Sequence, residues 1–500
     1  MSEPAPNRGA PTPPIAIEGD GIRARFASVD VDPAVVARLS EVCADVRTDE
    51  PTLAESGRDW WPVAMRWALD GEVPALAAAV AKPASVDEVA AVLRLCNESR
   101  VPVTVAAGRS GVCGGSVPVH GGVILDLTGL TGIVDVDDVS MLLDVRAGTF
   151  GDVLEDELRP AYGVTVGHWP QSVNLSTVGG WLACRGAGQY STRYGKIEDM
   201  VVGLEAVLAD GTVVRTGGAP RQAAGPDLNQ LFVGSEGTLG VITEATLRVH
   251  PVPRAERRAA YRFPSFTDGL EVCRRVLRRG ATPAVLRLYD DRESKRYLGD
   301  NDEGHSVLLV LDEGDRGLID AVFEIVAEEC RGAHRLDEGF VGQWLEHRNE
   351  VSALEAAIRQ DVVVDTTEIA ARWSQLPAIY EAGRAALKAV PGIWVASAHQ
   401  SHSYSDGACL YFTWAGQPVD DQSPDELYRA AWDAVTRAVL AHGGALSHHH
   451  GVGLNRSRFM REALGPAFDV LAVTKTALDP NGILNPGKLG LPSPFGTPDW

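Results

Sequence analysis

Val105-Ala106-Ala107-Gly108-Arg109-Ser110-Gly111-Val112-Cys113-Gly114-Gly115 follows directly on a strand candidate, Val101 to Ala106. Gly108, Gly111, Gly114 and Gly115 let the backbone curl with its amides turned inward, a geometry that suits a pyrophosphate. The loop is not a P-loop, because no Gly-Lys-Ser/Thr ending follows. Nor is it the dinucleotide GxGxxG turn, because no clear βαβ unit with a downstream ribose-binding acid accompanies it. On this fragment alone, a surface turn and a phosphate cradle explain the glycines equally well.

Three further stretches share its character. Pro170-Gln171-Ser172-Val173-Asn174-Leu175-Ser176-Thr177-Val178-Gly179-Gly180-Trp181 places small residues at a helix start and leads into Ala183-Cys184-Arg185-Gly186. Tyr194-Gly195-Lys196-Ile197-Glu198-Asp199-Met200 precedes a strand, and Gly234-Ser235-Glu236-Gly237-Thr238-Leu239-Gly240-Val241-Ile242-Thr243 precedes another. Each offers backbone amides or hydroxyls with little side-chain bulk, which a flat buried cofactor needs for close approach.

Around these loops the hydrophobic pattern switches between helix and strand. Ser85-Val86-Asp87-Glu88 is a capping box, followed by Val89, Val92, Leu93 and Cys96 at helical spacing. Strand candidates follow at 123–127, 142–145, 201–209, 212–216 and 241–249, with a helix after Thr149. This predicts one α+β domain over 76–252. Residues 253–440 combine amphipathic helices with β runs, notably 306–311 and 408–414, as in a second sheet covered by helices. A helix starts at the capping box Ser423-Pro424-Asp425-Glu426 and stops at Gly443-Gly444. Residues 441–500 read as a helical segment returning to the first domain, and 25–75 as an N-terminal helical segment whose Trp60, Trp61 and Trp67 serve packing. Residues 1–24, polar and proline-bearing, read as a disordered tail.

Composition narrows the function classes. A formal net charge of -21 argues against nucleic acid as a partner. Seven scattered cysteines without a CxxC pair fit a reducing compartment. With no apolar leader, no peroxisomal C-terminal address and no run of 18 apolar residues, the expectation is a cytoplasmic chain, with room for peripheral membrane contact and a homodimer.

The glycine-bearing stretches, with Leu484-Asn485-Pro486-Gly487-Lys488, resemble the FAD domain of the vanillyl-alcohol oxidase and p-cresol methylhydroxylase flavoproteins over about 76–252 and 441–490. The resemblance implies an α+β, two-domain fold, an FAD-binding domain plus an antiparallel-sheet cap domain. It places the cofactor against Val105 to Gly111, Pro170 to Ser176, Ala183 to Gly186 and Ser235 to Val241. Covalent attachment in this superfamily uses a His or Cys at fixed places. No His lies between Val105 and Gly115, and Cys113 reads as a small core thiol, so FAD is expected to be noncovalent.

Within the superfamily, D-2-hydroxyacid dehydrogenases carry G-D-G-N-x-H and G-E-H-G-I-G, which include metal-binding histidines. The corresponding stretches here are Ala398-His399-Gln400-Ser401-His402-Ser403-Tyr404-Ser405-Asp406-Gly407-Ala408-Cys409-Leu410-Tyr411-Phe412 and Ser447-His448-His449-His450-Gly451-Val452-Gly453. Both motifs are broken, and no metal is expected. The same stretches resemble alkylglycerone-phosphate (alkyldihydroxyacetonephosphate) synthases, as do Ala284-Val285-Leu286-Arg287-Leu288-Tyr289-Asp290 and, less closely, Ile358-Arg359-Gln360-Asp361 with Asp365-Thr366-Thr367-Glu368 and Trp373. That family exchanges the acyl chain of an acylated ketose phosphate for a fatty alcohol, forming an ether without net redox change.

By this resemblance Tyr411 donates or accepts the proton, and His448, His449 and His450 supply base or orienting groups. Arg287 supports charge, and Arg359 binds substrate phosphate or carboxylate. Other readings stand beside these. Tyr411 fits a core position, and Arg287 an ion pair with Asp290 or Asp291. A strand-borne His triplet would send neighbours to opposite faces, so at most two would reach one ion. The alternative function is an FAD-dependent oxidase or dehydrogenase of a hydroxyacid or alcohol. A flavin binder without turnover has no need of all these groups.

Overall fold

The computed structural model describes residues 13–19, 21–299, 304–350 and 352–500. The residues expected as a capping box satisfy two amides, although Glu88 reaches Ala84, one residue before the N-cap Ser85. Ser85 accepts from the Glu88 amide at 3.3 Å, Glu88 accepts from the Ala84 amide at 2.8 Å, and the helix Val86–Ser99 follows. Behind it lies a four-stranded sheet in the order Val46–Arg47, Ala79–Ala81, Val123–Asp126, Val103–Ala106, its last three strands parallel. Its free edge is covered from the far end of the chain. The Val103 amide donates to Ile483 O at 2.8 Å, and the Asn485 amide to Val103 O at 2.7 Å.

A five-stranded antiparallel sheet runs Val213–Gly217, Val201–Val207, Val241–Arg248, Leu142–Arg146, Ile133–Asp137. Val201–Val207 is buried at every residue, as its nearly unbroken apolar run requires of a strand flanked on both sides.

The cap is a seven-stranded antiparallel sheet. Its order is His334–Leu336, Ala255–Phe263, Ser306–Gly314, Val285–Tyr289, Ile393–Ser403, Gly407–Gly416, Val363–Arg372. Helices Phe266–Arg278, Arg316–Glu329, Leu376–Ala389 and Pro424–Ala441 supply apolar residues to the same core as one face of that sheet. Leu410, Phe412 and Trp414 belong to that core. The two-residue period of a strand therefore turns Cys409, Tyr411 and Thr413 to the opposite face. Cross-strand register then sets Tyr289 opposite His399, His399 opposite Tyr411, and Tyr411 opposite Glu368. One rung of four polar residues crosses the face opposite that core, where Tyr289 also joins a second apolar cluster with Val285, Leu309 and Trp344.

The N-terminal part departs from expectation. Residues 1–12 and 20 lie outside the described residues, so the tail expected over 1–24 is described only in part. Yet Ile15 is fully buried and its carbonyl accepts from Arg58 at 2.6 Å, so packed structure begins before residue 25. Residues 25–75 are helical only over Pro33–Val42, Glu50–Ser56 and Pro62–Ala68, and Val46–Arg47 joins the first sheet. Two residues are too few to register as a periodic pattern.

Gly108 shows why the glycine-rich loop needs its glycine. A Cβ there would lie 2.2 Å from the Leu175 carbonyl oxygen, so two of the four expected cofactor stretches pack backbone to backbone. Gly108→Ala must push them apart. The expected outcome is a lowered ratio of flavin to protein after purification, together with a lowered melting temperature. Full flavin occupancy at an unchanged melting temperature would show that the junction tolerates separation.

Candidate active site

Tyr411 projects from the face of the cap sheet opposite its helix-covered core, toward the loop Ser447–Gly453. Its hydroxyl lies 2.6 Å from His449 Nε2 and 3.0 Å from His450 Nε2. His448 Nδ1 and His449 Nδ1 are 2.8 Å apart. The three histidines are not strand neighbours, as the opposite-face argument assumed. They occupy successive bends, and their rings converge. Burial raises the Tyr411 hydroxyl well above the ordinary tyrosine range. It also drives His448 and His449 well below the ordinary histidine value and His450 down to about 4. All three are therefore neutral at pH 7, each ring with one donor and one acceptor nitrogen.

Two carboxylates, the fully buried Glu368 and the half-buried Glu236, shape this loop. Glu368, from the strand beside Tyr411, accepts from the amides of His448, His449 (3.3 Å) and His450 (3.0 Å) and from the Ser447 hydroxyl at 2.8 Å. Arg456, wholly buried, pairs with it at 3.0 Å. Burial works to raise the Glu368 pKa, but Arg456, His450 and the loop donors together hold it below the ordinary value. From the other domain, Glu236 accepts from the Val452 amide at 2.5 Å and the Gly453 amide at 2.7 Å.

Arg287 stands on the same face as Tyr411. Its Nε donates to the Tyr289 hydroxyl at 2.7 Å and its Nη2 to His399 Nε2 at 2.7 Å. Because a guanidinium only donates, His399 must accept at Nε2 and carry its proton at Nδ1, which donates to Glu293 at 2.6 Å. His399 in turn stacks on Tyr411, ring centres 4.8 Å apart. The ion pair with Asp290 or Asp291 is not formed. Asp290 instead caps the helix Asp291–Leu298 and accepts from the Ala398 amide at 2.8 Å.

Arg359 is the clear correction. It sits exposed at the surface, paired with Glu18 at 2.8 Å and Glu355 at 2.9 Å. Its short motif match falls at the end of the helix Ser352–Ile358, and no contact joins it to the histidine cluster. Arg348 occupies the more telling place. Arg348 and Arg287 lie 5.7 Å and 5.9 Å from the same Trp344 ring centre, and Arg348 Nη1 is buried without a partner among the described residues.

The structure draws the four expected cofactor stretches into one place. Gly108 abuts Leu175, the Glu236 amide donates to Ala183 O at 2.9 Å, and Gly237, at φ +71°, packs on Val105. Ser176 accepts from Trp181 Nε1 at 2.7 Å, which fixes the second stretch to its helix. Within these stretches Leu239 and Val241 are core residues, whereas Ser235 Oγ is buried without a partner among the described residues. Asn485 donates to Gly115 O and Glu236 O and keeps a buried, unpartnered Oδ1. A flavin dinucleotide suits these loops, since it brings both the polar partners and the need for close backbone approach.

Sequence reasoning missed Glu368, Glu236's grip on the loop, Glu293 and Ser191 as site-forming groups, and it passed over His168. The His168 ring is wholly buried against Trp181, and neither nitrogen has a partner among the described residues. An added Cβ on Gly186 would lie 3.6 Å from His168 Nε2, which places this ring beside an expected cofactor stretch. The available signal was a lone polar residue inside an apolar run just before Pro170.

Cys409, His448 and His449 bring possible ligand atoms within 4.8 Å of one another. Burial keeps the Cys409 thiol protonated, its pKa well above the ordinary value, and the facing nitrogens of the two rings already share a hydrogen bond.

Two measurements follow. With no histidine in the Val105–Gly115 loop and Cys113 buried, acid precipitation is expected to release the flavin into the supernatant, whereas yellow precipitated chain would establish a covalent bond. His450 gives a pH test. Its pKa is about 4 when folded against 6.5 ordinarily, so its contribution is whole above pH 6.5 and is lost as pH falls toward 4. From pH 7 to pH 5, His450→Gln is expected to lose about 2 kcal/mol less unfolding free energy than the parent, measured by urea titration. Equal losses would mean that His450 is not held neutral.

The sequence matches two family profiles, "FAD binding domain" over residues 77–217 and "FAD linked oxidases, C-terminal domain" over 252–489. The uncharacterized FAD-linked oxidoreductase YgcU of Escherichia coli K12 is 33% identical, over 82% of this chain and 88% of the relative. The alkyldihydroxyacetonephosphate synthase of Dictyostelium discoideum is 29% identical, over 81% of this chain and 72% of the relative. Glycolate oxidase subunit GlcD of Bacillus subtilis is 27% identical, over 82% and 88%. In fold, a solved alkyldihydroxyacetonephosphate synthase superposes with a TM-score of 0.77 at 24% identity, covering 95% of this chain and 90% of that one. Substrate-bound p-cresol methylhydroxylase gives 0.74 at 19%, covering 92% and 96%. The chain is an FAD-linked enzyme with the two-domain fold of the p-cresol methylhydroxylase flavoproteins, and it belongs to the family of FAD-linked enzymes that includes YgcU.

Proposed function

We propose that this enzyme forms an ether bond by exchanging the acyl chain of acyl-dihydroxyacetone phosphate for a fatty alcohol, without net redox change. The observation that carries the reading is the Tyr411 hydroxyl, shared between the neutral rings of His449 and His450. Removing a proton beside a ketone and returning it to the departing group calls for one site that both accepts and donates. Tyr411 does so through His449, while Glu368 fixes the backbone that aims both rings. Arg287 and Arg348, both beside the Trp344 ring and the latter with an unpartnered Nη1, are in this reading the groups that hold a phosphate or carboxylate, in place of the surface residue Arg359. When bound, FAD supplies an electron-poor ring that activates the reacting carbon.

A second reading, an FAD-linked oxidoreductase of an alcohol or hydroxyacid, draws support from the printed names of the Escherichia coli and Bacillus subtilis relatives. The same tyrosine would then take a hydroxyl proton. Anaerobic incubation with palmitoyl-dihydroxyacetone phosphate and hexadecanol separates the two: alkyl product with the flavin still oxidised supports ether synthesis. Flavin bleaching by a 2-hydroxy acid, with no alkyl product, supports the oxidoreductase.

Tyr411→Phe removes one hydroxyl and hardly alters packing. On whichever substrate turns over, it is expected to keep FAD and fold while losing about 10²–10⁴-fold in rate. Turnover within a few-fold of the parent would remove Tyr411 from the chemistry.

A further inference from the structure

Tyr411 is one member of a longer file of hydrogen-bonding groups. Beyond His449 and His448, the file continues from His448 Nε2 to the Tyr404 hydroxyl at 3.1 Å. It then runs to Ser191 Oγ at 3.2 Å and to His402 Nδ1 at 2.8 Å. Six groups thus stand in unbroken contact from Tyr411 to His402, with His450 attached to Tyr411 on its other side. Two features of the cap sheet build this outer half. A β-bulge between Ser401 and Ser403, with His402 at φ +52°, lets the His402 ring reach the same cluster as His448 and His449. Tyr404 then begins the hairpin whose Ser405 and Asp406 are exposed, and is itself partly exposed.

Donor and acceptor counts are consistent along the whole file in one direction. Tyr411 donates to His449 Nε2, so the His449 proton sits on Nδ1 and is donated to His448 Nδ1. The His448 proton then sits on Nε2 and is donated to Tyr404, whose hydroxyl donates to Ser191 and Ser191 to His402. Between Tyr411 and Tyr404 the reverse order is equally consistent. That stretch, satisfied in both orders, carries a proton between Tyr411 and Tyr404 by reversing its polarity.

We propose that His449, His448 and Tyr404 form a proton relay joining Tyr411 to the hairpin end of the cap sheet. This rests on the acid–base role of Tyr411 given above. As Tyr411 oxygen takes a proton from the substrate, its own O–H passes to His449 Nε2, and His449 Nδ1–H passes to His448 Nδ1. His448 Nε2–H passes to Tyr404, and the Tyr404 hydroxyl proton leaves to water at the hairpin. One proton enters, one leaves, and no electrons move. Each imidazole ends neutral with its tautomer exchanged, so burial, which opposes a charged imidazolium, does not oppose the transfer. Tyr404 is the outer terminus, and Ser191 holds its hydroxyl in line.

The test has two arms on the FAD-loaded protein. In the first, selective ¹⁵N-histidine labelling reads tautomers without substrate. The relay requires His448 and His449 to hold opposite neutral tautomers, one Nδ1–H and one Nε2–H. Two identical tautomers, or a protonated ring at pH 7, would overturn it. In the second, Tyr404→Phe is expected to keep FAD and lose at least about ten-fold in turnover, most of it restored by added imidazole as a mobile proton carrier. Unchanged turnover, or a loss that imidazole does not restore, overturns the relay while Tyr411→Phe still reports on Tyr411. If no ether product forms with the parent enzyme, the proposed function fails on its own, and the tautomers alone decide the relay.

Discussion

The loop Ser447–Gly453 is suspended between two carboxylates, one from each domain, and the geometry of the whole site depends on that suspension. Glu368 gathers three consecutive amides and a hydroxyl, and Glu236 gathers two more amides a few residues on. Charge-assisted bonds of this kind are about twice as strong as neutral ones. Leaving even one buried amide unpaired costs about 1–3 kcal/mol. A six-atom spread of donors therefore fixes the loop far better than packing alone, and aims three imidazoles that have no helix or strand to orient them. Arg456 completes the arrangement by balancing the Glu368 charge where no water reaches.

The cap sheet supplies the other half of that alignment. Because Leu410, Phe412 and Trp414 are committed to the helix-covered core, Tyr411 has one direction left to point. The rung Tyr289–His399–Tyr411–Glu368 is thus a by-product of hydrophobic register, with polar chemistry on the face turned away from the helix-covered core. A slip of one residue in any of these strands would carry its member of the rung into the core.

Much of this was legible in the sequence. The glycine-bearing loops, both capping boxes and the strands at 123–126, 201–207 and 241–248 were all announced by residue type and period. So were Tyr411 and the His triplet, through their motif. What stayed hidden follows from two causes. Glu368, Glu293 and Glu236 look like ordinary strand, helix and loop acids until the fold encloses them, because the enclosure of a charge is a property of three dimensions. Arg359 and Arg348 stand eleven residues apart in a stretch without strong periodicity, and only the packing against Trp344 tells them apart. The bends at 448–450 were read as strand because a short polar run carries no period at all.

The closing of the first sheet by Ile483–Asn485 has a bearing on how the protein comes into being. The strand Val103–Ala106 leaves the ribosome early, yet its edge partner emerges some 380 residues later. Lys475, which binds Thr238 O and Leu484 O from a buried position, adds a second such long-range tie. The cofactor-binding half must therefore wait, incomplete and with an unpaired strand edge, through synthesis of the entire cap. Cofactor capture falls at the end of biogenesis, and any stalled or truncated chain is marked by an open sheet edge before it can load its flavin.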